Sequence, residues 1–133
     1  MPREFLDSNV LIYAFTADSR AAAAQTLLER DCTISVQALN EFVNVARRKL
    51  GMNWDDVRDA LAAIRILCHD VRTIDVETHN EAIRIAERYG YSIFDALVLA
   101  AAIRANCYVV WTEDMQHGAV IDGKLRIANP FAE

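Results

Sequence analysis

The feature that most constrains the fold of this chain is the alternation of short strand-like segments with helical segments of ten or more residues. Cys107–Trp111 is the clearest strand, because it is β-branched and aromatic and carries no charge. Val76–Tyr89 has apolar residues at helical spacing, and Gly90 follows as a stop signal. This alternation predicts βαβ units, in which helices cover both faces of a parallel sheet. The predicted fold is therefore α/β with a central, mainly parallel sheet.

The other segments follow the same alternation. Further strands are predicted at Glu4–Leu6, Thr33–Val36 and Val71–Ile74, with a last short edge strand at Lys124–Ala128. Further helices are predicted at Val10–Phe15, Ser19–Arg30, Gln37–Leu50, from the capping pair Asn53 and Asp56 to about Cys68, and from Ser92 to Ile103. Because no repeat, linker or low-complexity tract interrupts residues 1–133, we expect one domain.

Cysteine use and hydropathy indicate the compartment. Cys32, Cys68 and Cys107 are odd in number and lie far apart in the sequence, which argues against a disulfide framework or a zinc site. The longest apolar run, Ala96 to Ile103, is too short to span a bilayer, and no apolar signal segment precedes Asp7. We expect a cytoplasmic protein with three buried thiols and no membrane association.

The net charge of −5 does not by itself suggest a nucleic-acid partner, since phosphate binding usually requires a basic surplus. Setting four of the 19 acids aside as cation ligands leaves 15 acids against 14 basic residues, which is near neutrality. A bound cation also reverses the local field. The charge balance therefore excludes neither possibility.

Four acids attract attention, although each has an ordinary structural explanation. Asp7 follows a strand and is placed to cap the next helix. Asp95 lies three residues after Ser92, which is the spacing of a capping box. Asp114 is suited to the first turn of a further helix, and Glu41 to a solvated helix face. Singly, none of them predicts a function.

Their joint placement is more informative. Asp7 and Asp114 each follow an apolar strand, Asp95 opens the most apolar helix, and Glu41 lies roughly 40° outside the apolar arc of its helix. In α/β sheets, binding sites lie at the carboxyl ends of the strands. Four converging carboxylates would need a cation to stay ionised together, and hard oxygen ligands favour Mg²⁺ or Mn²⁺. The pattern indicates a metal-dependent phosphotransfer site.

Four short segments carry a resemblance to a known family. They read Phe-Leu-Asp-Ser-Asn-Val-Leu-Ile-Tyr (5–13), Leu-Asn-Glu-Phe (39–42), Ser-Ile-Phe-Asp-Ala-Leu (92–97) and Trp-Thr-Glu-Asp-Met (111–115). In this order and spacing they resemble PIN-domain proteins, and more closely the VapC-type toxins of bacterial toxin–antitoxin pairs. The resemblance extends through Gln116-His117-Gly118 to the closing Asn-Pro-Phe, and so covers essentially the whole chain.

The resemblance implies a three-layer α/β/α PIN-like fold and an acidic pocket for Mg²⁺ or Mn²⁺. By position, the catalytic acids fall on Asp7, Glu41, Asp95 and Asp114. Asp7 and Asp95 would be the main metal ligands, and Glu41 and Asp114 would bind metal directly or through water. Asn9 and Thr112 match supporting polar positions. Glu113 directly precedes Asp114, so the fourth assignment is the least constrained.

The function implied by the resemblance is endoribonuclease activity. A metal-activated water would hydrolyse RNA in line and leave a 5′-phosphate and a 3′-hydroxyl. A cognate antitoxin would silence the enzyme, and a homodimer is expected. His69, His79 and His117 have no spacing that suggests acid–base catalysis. Arg47-Arg48-Lys49 would either guide RNA or simply stabilise the end of its helix.

Three other functions remain open. The chain would be a housekeeping RNA-processing nuclease if it had the same fold but no antitoxin. It would be a non-hydrolytic binding module if its acids held only a structural cation, although a complete set of four acids argues against this. The third function is a phosphatase with Asp7 as nucleophile, but that chemistry usually uses a second acid where Asn9 stands.

Overall fold

Residues 3–132 are described by a computed structural model, in which strands and helices alternate along the chain. The strands are β1 (Arg3–Leu6), β2 (Cys32–Ser35), β3 (Asp70–Arg72), β4 (Cys107–Trp111), β5 (Val120–Ile121) and β6 (Leu125–Ala128). The helices are α1 (Ser8–Tyr13), α2 (Ala21–Leu28), α3 (Val36–Arg48), α4 (Trp54–Leu67), α5 (Val76–Tyr89) and α6 (Ile93–Arg104). The predicted bounds of β4 and α5 are confirmed to the residue.

The strands form one sheet in the order β3-β2-β1-β4-β6-β5. All neighbours are parallel except β5 and β6, which are antiparallel. The prediction of a mainly parallel sheet is therefore confirmed. The prediction that the last strand lies at the edge is wrong, because the two-residue strand β5 pairs outside β6. Two residues are too few to give a period-2 pattern, so the sequence offered no signal for β5.

The central strand β1 divides the core between the two faces of the sheet. Successive side chains of a strand point to opposite faces. Leu6 packs with Ile34 of β2 and with residues of α1–α4, whereas Phe5 packs with Val110 of β4 and with residues of α5 and α6. Helices therefore cover both faces, which confirms the three-layer α/β/α architecture.

Local capping signals determine where several helices begin and end. Ser35 accepts a hydrogen bond from Ala38 N (3.2 Å), so α3 begins at Val36, where the sequence had predicted strand. Asn53 and Asp56 form the predicted capping box of α4. Gly90 ends α5 with a left-handed φ of 79°, a conformation that glycine adopts without steric cost.

The sequence also led to predictions about the cysteines and about membrane-spanning helices. The three cysteines are buried, as predicted, and Cys32 Sγ lies 2.7 Å from Cys68 Sγ. Among residues 3–132, no helix is both long and apolar enough to cross a membrane.

Candidate active site

The candidate site lies at the carboxyl ends of β1 and β4, which are neighbours in the sheet. Leu6 and Trp111, the last residues of the two strands, are partners in the register. The chain continues from them into Asp7 and Thr112, and Asp7 N donates a hydrogen bond to Trp111 O (3.1 Å). Parallel pairing therefore places two polar residues side by side, although 105 positions separate them in the sequence.

Asp7 is held rigidly at this edge. Its Oδ1 accepts a hydrogen bond from Ser8 N (2.7 Å), and its Oδ2 accepts one from Thr112 Oγ1 (2.8 Å). Only 6% of the residue is exposed. The capping role expected of Asp7 at α1 is therefore real, and it does not remove the carboxylate from the site.

Asn9 links α1 to the loop that follows β4. Its Nδ2 donates to Thr112 Oγ1 (3.1 Å) and to Asp114 Oδ2 (3.2 Å), while its Oδ1 accepts from Glu113 N (3.3 Å). Thr112 Oγ1 also accepts from Asp114 N (3.1 Å). Asn9 and Thr112 thus hold the loop so that the Asp114 carboxylate lies near Asp7. Between Asp114 and residue 132 the structure has no helix, so the expectation that Asp114 stands in a helical first turn is wrong.

The two adjacent acids of this loop have different partners. Glu113 Oε1 accepts from Tyr13 Oη (2.7 Å), and its Oε2 accepts from Arg20 Nη1 (3.3 Å). Asp114 instead accepts from Asn9 and contributes its charge to the environment of Asp7. The geometry therefore separates the two residues, which sequence spacing could not do.

Glu41 reaches the site from α3, which packs against α1. Its Oε2 accepts a hydrogen bond from Ser8 Oγ (2.5 Å), and its Oε1 accepts one from Gln37 Nε2 (3.5 Å). Glu41 is half-buried, as expected for a residue beside the apolar face of its helix. The sequence arguments missed Ser8; its only signal was its place between Asp7 and Asn9.

Asp95 lies in the first turn of α6, where Ser92 Oγ caps the helix by accepting from Asp95 N (3.2 Å). It shares no hydrogen bond with Asp7, Glu41 or Asp114 in the structure. Its link to them is electrostatic, because the charges of Asp114 and Glu41 both act on its carboxyl group.

Burial and repulsion between the carboxylates raise the pKa values of two acids in the site. Burial raises the pKa of Asp7 to about 6, and the charges of Glu41 and Asp114 add to this against the hydrogen bonds from Thr112 and Ser8. Burial also raises the pKa of Asp95, with smaller contributions from Asp114 and then Glu41. Each of the four acids is therefore close enough to influence another.

The chemistry of this donor set fits a divalent cation. Arginines pair with other acids of residues 3–132, but no Arg or Lys pairs with Asp7, Glu41, Asp95 or Asp114. Within the same range, no three potential ligands stand close enough to form a ready-made metal centre. Unneutralised carboxylates repel one another, so the site as described is a loose acidic pocket with charge that a cation would neutralise.

A parallel α/β/α sheet with acids gathered at the ends of β1 and β4 defines a class of proteins, and comparison with known families gives it a name. The PIN domain family model matches residues 5–120. The chain belongs to the PIN domain family. No curated protein sequence matches it.

Three solved structures with the same fold are similar to this chain. A toxin–antitoxin complex from Klebsiella pneumoniae has a TM-score of 0.75 at 19% identity and covers 96% of this chain and 98% of its own. VapBC2 from Rickettsia felis, bound to a promoter DNA fragment, gives 0.68 at 18% identity over 96% and 98%. Mycobacterium tuberculosis VapC20, a toxin that cleaves the sarcin–ricin loop, gives 0.65 at 20% identity over 84% and 91%. At these identities the likeness establishes the fold.

Proposed function

We propose that this protein is a divalent-metal-dependent endoribonuclease and the toxin of a toxin–antitoxin pair. The observation that carries the proposal is a group of four acids without cationic partners at the carboxyl edge of a PIN-domain sheet. VapC20, which has the same fold, is a toxin that cleaves the sarcin–ricin loop. The residues of this chain provide the acidic pocket that such chemistry requires.

The proposed cofactor is Mg²⁺ or Mn²⁺. Asp7 and Asp95 would hold it most directly, with Glu41 and Asp114 binding directly or through water. When bound, such a cation lowers the pKa of a water molecule and neutralises charge that grows on the phosphate. Carboxylate oxygens suit these hard ions better than zinc.

The polar neighbours of the acids act as positioning residues. Thr112 Oγ1 and Ser8 N fix the two oxygens of Asp7, so its carboxylate has a single orientation. Ser8 Oγ turns Glu41 toward the site, and the Asn9 amide does the same for Asp114. We propose that the hydrolysis leaves a 5′-phosphate and a 3′-hydroxyl.

We further propose an antitoxin protein as partner, a homodimer as the working form and the cytoplasm as its compartment. Two of the structural neighbours were solved as toxin–antitoxin complexes, which supports the first of these. Three free, buried thiols suit a reducing compartment. An RNA-processing nuclease without an antitoxin is the second candidate, since the same pocket would serve it.

Expression without and with the neighbouring gene separates the two candidates. Growth arrest on expression alone, relieved by the neighbour, is expected of a toxin, and continued growth would favour the RNA-processing enzyme. In parallel, purified protein with Mg²⁺ or Mn²⁺ should cleave RNA, whereas Asp95→Asn should lose at least a hundredfold in rate. Asp55→Asn removes the same charge on exposed α4 and is the matched control. Full activity of a folded Asp95→Asn protein would overturn the role of Asp95 as a metal ligand, and absence of RNA cleavage by the wild type would overturn the nuclease assignment.

A further inference from the structure

A cleft of about 310 Å³ opens beside the acidic pocket. One wall comes from α1 and the other from the carboxyl-terminal half of α3. Ile12, Val45 and Leu50 contribute apolar surface to it, and polar groups from Asn9 and Lys49 border it. None of these side chains except Asn9 belongs to the hydrogen-bonded group around Asp7.

The cleft is continuous with the acidic pocket. Asn9 lines the cleft and also donates to Asp114, and Glu113 lines it directly before Asp114 in the loop. On α3, Glu41, Val45 and Lys49 are four residues apart and share one face. That face leads from the carboxylates to Lys49 over about 12 Å of helix. A group bound in the cleft would therefore lie next to a phosphate held at the acids.

The lining suits a flat heterocycle attached to an anionic backbone. The aliphatic side chains of Ile12, Val45 and Leu50 suit the apolar faces of a ring system. Glu113 keeps acceptor capacity on each carboxylate oxygen after binding Tyr13 and Arg20, so it can accept from an amino or imino group. Lys49 forms none of the ion pairs among residues 3–132, which leaves its ammonium group available for a phosphate.

Size and charge together favour a base as occupant. The volume lies near the lower end of small-ligand sites, which is appropriate for one ring system. The positive charge at Lys49 then complements the polymer that carries the ring.

We infer that this cleft holds one nucleobase of the RNA substrate beside the scissile phosphodiester, with Lys49 on a neighbouring phosphate and Glu113 at the edge of the base. The inference rests on the proposed nuclease function and adds a determinant of where the RNA is cut. The four proposed cation ligands take no part in this recognition, and Asn9, which positions Asp114, is the residue that the cleft and the acidic pocket share.

The test is a double cycle that combines a substitution in the cleft with removal of a base from the RNA. After the cut site is mapped, the wild type is assayed on the intact oligonucleotide and on versions with one abasic nucleotide on either side of the cut. One abasic position should lower kcat/KM about tenfold. Val45→Trp, which fills the cleft, should lower kcat/KM on intact RNA by a similar factor. Its kcat/KM on the same abasic RNA should be little lower than its kcat/KM on intact RNA. Independent, multiplying losses would overturn the inference.

Lys49→Ala provides a second route that does not depend on repacking. It should lower RNA affinity, measured in EDTA, and reduce the slope of log affinity against log salt by about 1. Lys124→Ala removes the same charge near the start of β4, at the opposite edge of the sheet, and should leave the slope unchanged. Equal slopes for Lys49→Ala and the wild type would reject the phosphate contact. Absence of any RNA cleavage by the wild type would reject the nuclease function itself, whereas cleavage with multiplying losses rejects the cleft alone.

Discussion

Replacing Asp7 by Asn removes a buried negative charge while keeping the size of the side chain. Since burial raises the pKa of Asp7 from 3.8 to about 6, its ionised form destabilises the metal-free fold. The neutral carboxyl group stabilises the fold relative to the ionised one. This stabilisation is complete below about pH 3.8, where the group is neutral in the folded and the unfolded protein, and it is lost as the pH rises through about 6. The substitution should therefore stabilise the metal-free protein at pH 8 and not at pH 4.

The magnitude follows from the two pKa values. At about 1.4 kcal/mol for each pH unit, the ionised carboxylate costs about 3 kcal/mol at pH 8. The amide keeps an acceptor for Ser8 N but offers Thr112 an NH₂ group in place of an oxygen, a loss of about 1 kcal/mol. A net gain of about 2 kcal/mol at pH 8 remains. This gain should disappear at pH 4.

Urea unfolding in EDTA at the two pH values measures this difference. Asp55→Asn is the control, because that side chain is exposed and its replacement should change the free energy of unfolding little at either pH. Added Mg²⁺ should reverse the order of stability. At a hundred times its dissociation constant it should raise the free energy of unfolding of the wild type by about 2.7 kcal/mol, and that of Asp7→Asn much less. An Asp7→Asn protein that is destabilised equally at pH 4 and pH 8 would refute the reasoning.

Three further substitutions test the neighbourhood. Ser8→Ala should raise the Mg²⁺ concentration for half-maximal RNA cleavage about tenfold, because Glu41 loses its short hydrogen bond; an unchanged midpoint would contradict this. On RNA that is abasic at the cleft position, Asp114→Asn should reduce the cleavage rate far more than Glu113→Gln does. Equal losses would mean that the two acids share the role in catalysis. Phe42→Ala should lower the free energy of unfolding by about 3–5 kcal/mol, measured in urea, since the ring is fully buried; a loss below about 1 kcal/mol would contradict the packing.

The elements that were predicted most accurately have signals confined to a few neighbouring residues. The strand β4 is uniformly β-branched and aromatic, and α5 ends at Gly90. The capping box at Asn53 is equally local. Where the signal was shorter or ambiguous, as at Val36 and in β5, the prediction failed because competing contacts decided the conformation.

The candidate site divides in the same way. Asp7, Asn9, Glu41, Asp95, Thr112 and Asp114 were all selected from their positions after strands, at helix starts and within short motifs. Their mutual contacts were not predictable, since the bond between Thr112 and Asp7 depends on the register of β1 with β4. Whether these six act in catalysis and cation binding stays a prediction until the variants are assayed.

Residue order alone determined the strand–helix alternation, the parallel sheet and the acids worth considering, because propensity, capping and periodicity act over a few residues. The tertiary structure decided which groups meet. Ser8 was found to hold Glu41, and Glu113 was found to turn toward Tyr13 and Arg20. These contacts join residues 33 to 100 positions apart, and local sequence carries no information on distances that only the packing of α1 against α3 and β4 can set.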